Sequence, residues 1–233
     1  MRKKFTHKNS VSLIKNGPDF INKNIELIQK AEKYIFFHTY IFEEDNYTTK
    51  FLEALIEKSM EGVSVFIILD AFGSPTLSSS MSNRLKKAGV KLSYFTPLFS
   101  FSHIGRRLHQ KVLIIDLKYV LLGGINYAKK FNSPSIGHPW LDYACLCEGE
   151  VANDVFKRVC YLYQQKFSDL DVQISRLKKE VNPIDNTTTI YVSVNDWMRY
   201  KQEIYRDYIQ NISTAKREIF MLATYFIPGK KML

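Results

Sequence analysis

Cysteine is scarce in this chain, long apolar runs are missing, and nothing has metal-ligand spacing. The 233 residues hold three cysteines, Cys145, Cys147 and Cys160. An odd count rules out a fully paired disulfide framework, and buried free thiols in a reducing compartment are expected. Cys145 and Cys147 fall on one face of an expected strand, a poor arrangement for bridging each other. No run of about eighteen or more apolar residues occurs, so no membrane-spanning helix is expected. Met1-Arg2-Lys3-Lys4 is basic, but the apolar core of a secretory signal does not follow it. A soluble or peripheral cytoplasmic protein is the expectation. With no His/Cys/carboxylate cluster, neither a metal nor another cofactor is expected.

Positive charge is abundant. Lysine and arginine number 33 against 23 acidic residues, a net charge of +10 with a pI near 9.3 and a mean hydropathy of −0.19. That excess implies an anionic partner. An anionic membrane surface and a nucleic acid fit the charge equally well. Arg106-Arg107 and Lys129-Lys130 flank the stretch that carries the chemistry. Tyr94, Phe95, Pro97, Leu98, Phe99 and Phe101 form an aromatic segment just before it. Such a segment suits a bilayer interface, stacking on bases, or plain packing on the core.

The chemistry is concentrated in His109-Gln110-Lys111, Asp116 and Gly123-Gly124-Ile125-Asn126. Lys111 to Ile115 and Tyr119 to Leu122 read as two buried strands around a polar break. Alternation along the first puts His109 and Lys111 on one face and Asp116 on the other. Asp116 is therefore read as a structural carboxylate anchoring the turn. An imidazole titrating near pH ~6.5 suits a nucleophile or a general acid-base. Lys111 adds fixed positive charge for phosphoryl oxygens, and Asn126 adds a donor that does not titrate. Gly123 and Gly124 would let backbone approach a ligand closely.

The spacing H-x-K-x4-D-x6-G-G-x-N, from His109 to Asn126, resembles the signature of the phospholipase D superfamily. Ala31 to Phe42, Gly62 to Ser74, Ala88-Gly89-Val90 with Phe95 and Pro97, and Trp140-Leu141-Asp142 with Gly149 narrow the likeness. They resemble bacterial cardiolipin synthases and related phosphatidyltransferases over nearly the whole chain. The resemblance implies an α/β fold, a phospholipase D-like mixed β-sheet flanked by helices on both faces. It implies phosphatidyl transfer from lipids such as phosphatidylglycerol through a phosphohistidine, at the inner face of the membrane. It also implies that Asp142 hydrogen-bonds the catalytic imidazole and fixes its tautomer. Separately, His103 is placed near the site mouth as a candidate substrate contact, together with Gly123 and Gly124. A phosphodiesterase acting on nucleic acid and an inactive membrane-binding fragment remain as alternatives, with nucleic acid the less favoured partner.

Sites of this superfamily join two such motifs, because one imidazole cannot be nucleophile and proton donor at once. This sequence contains a single His-x-Lys. Residues 1–167 are read as one catalytic half, 168–187 as a linker, and 188–233 as the incomplete beginning of a second half. Ile212 to Ile227 repeats the pattern of Ile28 to Phe42, so the chain looks truncated. Three outcomes stay open: a homodimer supplying the second histidine in trans, a separately encoded second half, or no activity. Helices are expected at Phe20–Lys33, Lys50–Met60, Ser78–Lys87, Val151–Phe167 and Tyr200–Thr214. Further strands are expected at Val63–Leu69, Leu92–Phe95, Tyr143–Cys147 and Thr188–Val194. His38 is placed in the first strand as a core or cleft residue, and His7 and His138 carry no signal.

Overall fold

The computed structural model describes residues 4–75, 77–95, 107–132, 140–168, 170, 184, 188–196, 201–221, 223 and 229. They fall into two compact units, 1–190 and 191–233. In the first unit the elements run β1 (Phe5–Lys15), α1 (Pro18–Gln29), β2 (Tyr34–Thr39), α2 (Asn46–Met60), β3 (Ser64–Asp70), α3 (Ser79–Lys87) and β4 (Lys91–Phe95). They continue with β5 (Val112–Ile115), β6 (Tyr119–Gly123), α4 (Lys129–Asn132), β7 (Tyr143–Gly149), α5 (Glu150–Gln164) and β8 (Thr188–Tyr191). The strands form an eight-stranded sheet in the order β4-β3-β2-β5-β6-β7-β1-β8. It is mixed: β2, β3 and β4 run parallel, and β5 turns antiparallel against β2.

Both faces of the sheet are covered, and β2 shows how. Ile35 and Phe37 point into the core shared with Phe51 and Leu55 of α2 and Phe20 and Ile28 of α1. Phe36 packs on the other side against Phe156 and Tyr163 of α5, with ring centroids 4.6 and 5.1 Å away. Strand parity thus sends alternate β2 residues into two cores. Ile35, Phe36 and Phe37 are all fully buried, so the strand reads as a continuous apolar run, as a strand covered on both faces must. The α/β architecture expected from the sequence is the one observed.

Several boundaries differ from the sequence reading, each for a local reason. α2 starts at Asn46 because the Asp45 carboxylate accepts from Tyr47 N and Thr48 N, while Thr48 Oγ1 accepts from Asp45 N. This capping box lies upstream of the apolar stripe that marks the helix in sequence. α1 ends at Gln29 and α5 at Gln164, each about a turn short of expectation. β1 has no counterpart in the sequence reading. Only Asn9 and Ile14 along it are buried, so alternation does not reveal it. Its place is set by pairing with β7 and by buried Asn9, which accepts from Val151 N at 2.8 Å and donates to Thr188 O at 3.0 Å. Gly149 closes the same corner with φ of 110°. A β-carbon there would overlap Lys8 O.

The three cysteines are free thiols, but only Cys147 is buried; Cys145 and Cys160 are half-buried. Thr188–Tyr191, read above as opening a second unit, lies at the edge of this sheet. The second unit pairs β9 (Asn195–Asp196) with β10 (Lys201–Gln202) and adds α6 (Glu203–Thr214), none of whose residues is buried. Asn195 Oδ1 accepts from Ile204 N and Glu203 Oε2 from Val194 N, at 3.0 and 3.1 Å. Residues 215–221 are not strand. Tyr225, Phe226 and Ile227, the expected second-repeat strand, lie outside the described residues, as does most of the 168–187 linker. Among the described residues, no helix is long and apolar enough to cross a membrane.

His38 gives this fold a sensitivity to acid. It is fully buried, bonded through Nδ1 to Tyr163 Oη at 2.8 Å and through Nε2 to Gln110 Oε1 at 3.3 Å. Burial pulls its pKa from 6.5 down to about 4, partly opposed by the Gln110 bond. Below pH 6.5 the unfolded chain takes up a proton that the folded chain refuses. The stability this group contributes is complete above that pH and is lost as pH falls to about 4. Urea denaturation should show the wild type losing on the order of 2–3 kcal/mol relative to His38→Gln across that window. Parallel pH profiles for the two proteins would contradict the assignment.

Candidate active site

β2 and β3 end, and β5 begins, at the same edge of the sheet. The antiparallel β2–β5 register pairs His38 with Val112, so the residues after Thr39 meet those before Val112. Asp70 at the end of β3 is 1% exposed. Its Oδ1 accepts from Phe72 N and Gly73 N, both at 3.0 Å, and its Oδ2 accepts from Leu108 N at 2.8 Å. One buried carboxylate therefore ties the loop after β3 to the residue preceding His109. Three backbone donors offset the cost of burying its charge.

His109 is exposed, whereas Lys111 is only 5% exposed. The ammonium donates to His109 O at 2.8 Å and lies 3.5 Å from the ring Nδ1. Among the described residues, the other ring nitrogen, Nε2, has no hydrogen-bond partner. The Tyr40 ring stands 5.2 Å from the imidazole, tilted by 35°, and 5.6 Å from the Lys111 Nζ. Burial lowers the His109 pKa, and the neighbouring ammonium lowers it further. Burial lowers Lys111 from 10.5 to about 8, with Asp142 acting in the opposite direction. The arrangement presents an imidazole of lowered basicity beside a largely desolvated cation, a pair suited to an anionic group under nucleophilic attack.

Asp116 sits at the far end of β5. Its Oδ1 accepts from Lys33 N and Tyr34 N, at 2.9 and 2.7 Å, and its Oδ2 from Glu32 N at 2.8 Å. The four residues of β5, about 13 Å of strand, lie between it and Lys111. Asp116 and Leu117 take φ of 51° and 52° to make the turn into β6.

The glycine pair is used inside the protein. A β-carbon on Gly123 would lie 2.6 Å from Ala144 Cα and Tyr143 O; one on Gly124 would lie 2.5 Å from Asp142 Oδ1. Their bareness lets β7 and the Asp142 carboxylate close on the backbone, where the sequence reading had assigned a ligand. Asp142 is half-buried, and its Oδ1 accepts from Tyr143 N at 2.7 Å. Among the described residues no hydrogen bond joins it to the His109 ring, contrary to the expected orienting contact. The carboxylate caps its own strand, and its field falls on Lys111. Asn126 is half-buried just past β6. Lys129 and Lys130 are exposed, and Arg107 packs its guanidinium 4.3 Å from the exposed Phe72 ring. His103, Arg106, Pro97, Leu98, Phe99 and Phe101 lie outside the described residues.

Tyr40 and Asp70 were not singled out from sequence. For Asp70 a signal existed, since a carboxylate ending an apolar strand needs donors if buried. Tyr40 had none, because only the β2–β5 pairing brings it to His109.

The depressed lysine has a measurable consequence. A pKa of about 8 in the folded chain against 10.5 when exposed means that stability rises as pH climbs between those values. Below pH 8 the cost of burying the ammonium is paid in full. Lys111→Met should therefore match or exceed the wild type at pH 7, and should lack an alkaline rise on the order of 2 kcal/mol. Chemical denaturation at pH 7, 8.5 and 10 measures it; a Met variant much less stable at pH 7 would contradict the burial argument.

Residues 24–134 match the family model described as cardiolipin synthase, PLD-like domain. Cardiolipin synthase of Clostridium perfringens is 32% identical over 243 residues, covering 98% of this chain and 50% of that protein. Cardiolipin synthase B of Shigella flexneri is 28% identical over 236 residues, covering 97% of this chain and 55% of that protein. The chain thus spans about half the length of the curated relatives it matches. Among solved structures, the phospholipase D family member Nuc from Salmonella typhimurium is similar in fold at 18% identity. Its TM-score is 0.50, over 69% of this chain and 95% of that one. By family model, relatives and fold together, residues 24–134 are similar to the phospholipase D-like domain of cardiolipin synthases.

Proposed function

We propose that this protein is a phospholipase D-type phosphatidyltransferase that makes cardiolipin from phosphatidylglycerol-type lipids. The observation that carries the reading is the exposed His109 imidazole with the Lys111 ammonium 3.5 Å from its Nδ1. The relatives named cardiolipin synthase support the substrate class, and the net charge of +10 suits a peripheral site on an anionic membrane surface.

His109 supplies one of two imidazoles. In the first step one imidazole nitrogen forms a bond to phosphorus while the phosphorus–oxygen bond to a glycerol breaks, and the counterpart imidazole protonates the departing oxygen. In the second step the counterpart removes a proton from the acceptor hydroxyl. That oxygen displaces the histidine, giving cardiolipin and restoring both rings. Lys111 neutralises the non-bridging oxygens. As it turns toward them it leaves Nδ1, which then carries the ring proton while Nε2 holds the reacting lone pair. Asn126 donates to the same oxygens, and Asp142 keeps Lys111 charged. The counterpart imidazole comes from a second catalytic half, on the same chain or on another.

Vesicles of phosphatidylglycerol and single-stranded DNA, offered separately, test the substrate class. Cardiolipin formation without DNA cleavage is expected, and His109→Ala should lower its rate by about 10³-fold or more. DNA cleavage alone would overturn the lipid reading. Lipid turnover by a sedimentation monomer of residues 1–233 alone would overturn the need for a counterpart imidazole.

The pH profile adds a second test. Activity should rise as His109 loses its proton below pH 6.5 and decline above about 8 as Lys111 loses its own. Lys111→Arg should extend the alkaline side, because a guanidinium stays charged there. An unchanged alkaline limb in that variant would remove Lys111 from the charge-neutralising role.

A further inference from the structure

Beyond His109 and Lys111, the geometry points to Tyr40 as the positioning residue for both, seated there by Gly73 and Ser74. The Tyr40 ring packs against the imidazole at 5.2 Å between centroids and takes the Lys111 ammonium over its face at 5.6 Å. One aromatic surface thus touches both members of the pair. The imidazole has no hydrogen bond to the Asp142 carboxylate among the described residues, and its ring instead meets the Tyr40 ring and the Lys111 ammonium. A ring face restricts imidazole rotation without fixing a tautomer, and it holds a cation without neutralising it. Both properties suit a pair that must change protonation and partner during a reaction.

The seat of Tyr40 is built with care on the protein side. Ser74 Oγ donates to Tyr40 O at 3.0 Å and accepts from Phe42 N at 3.1 Å, clamping the chain just after β2. At Gly73 a β-carbon would overlap Tyr40 O and come within 2.9 Å of the Tyr40 ring carbon Cδ2. Only a residue without a side chain lets the ring lie where it does. Asp70 completes the frame, since the carboxylate that holds Gly73 N also holds Leu108 N. The loop that seats the ring and the residue that leads into His109 share one buried anchor.

This assignment rests on reading His109 as the reacting imidazole, but its first test needs no turnover. In the folded chain, NMR of the histidine ring protons, with His109→Ala identifying the His109 signal, should show an upfield ring-current displacement. Tyr40→Phe should keep that displacement and Tyr40→Leu should lose it. Gly73→Ala, which leaves both rings intact, should lose it as well by pushing Tyr40 aside. The His38 signal reports that each variant stays folded. Displacement retained in Tyr40→Leu and Gly73→Ala would overturn the proposal, whatever the enzyme does. In lipid transfer assays Tyr40→Leu should lower kcat about tenfold or more with little change in KM, with Tyr40→Phe near wild type. Equal loss in Phe and Leu variants would overturn the positioning role in favour of the hydroxyl. Ring-current results as expected with no wild-type lipid transfer would sustain the contact and sink the transferase reading instead.

Discussion

The antiparallel pairing of β5 against β2 is the constraint on which the site depends. β2, β3 and β4 run parallel, so their carboxyl ends share one edge of the sheet. Reversing direction at β5 brings the start of that strand to the same edge. Tyr40, Asp70, His109 and Lys111 are brought there from three strands. Loops at the carboxyl ends of parallel strands are where open α/β sheets gather ligands. Here the reversal adds the beginning of a fourth chain segment to that gathering. Asp116 holds the opposite end of the same pairing by collecting three amides from residues 32–34. The two ends of β5 thus carry separate tasks.

Burial sets the electrostatics. Lys111 is nearly enclosed, and desolvation is the largest cause of its depressed pKa. Placing a cation in such a position destabilises the fold, a cost that makes sense where an anion is to be bound. The His109 ring beside it is exposed but still shifted downward, so it is largely neutral near pH 7. His38 lies on the opposite face of the sheet, locked between Tyr163 and Gln110. Burial suppresses its proton affinity.

Glycine carries much of the close packing near the site. Gly73 makes room for Tyr40, Gly123 for β7, and Gly124 for the Asp142 carboxylate. Sequence alone cannot say what a bare α-carbon makes room for. The Gly123-Gly124 pair was read as a path to a ligand, yet the space is filled by the neighbouring strand. Asp142 likewise follows the family spacing, but its carboxylate turns to Tyr143 N and toward Lys111. The position of a residue in a motif determines its neighbourhood, and the competing donors nearby determine its bond.

The sequence by itself determined the α/β class, the apolar strands covered on both faces and the meeting of the His109 and Lys111 side chains. Those features are local: they follow from periodicity, spacing and side-chain type over a few residues. It did not reveal β1, whose polar, mostly exposed residues have no alternation, nor the contact between Tyr40 and His109. Both depend on strand pairing between segments tens of residues apart, and that pairing is decided by the packing of the whole sheet. The same holds for the depressed Lys111, because desolvation is a property of what surrounds a charge and not of the residues beside it in the chain.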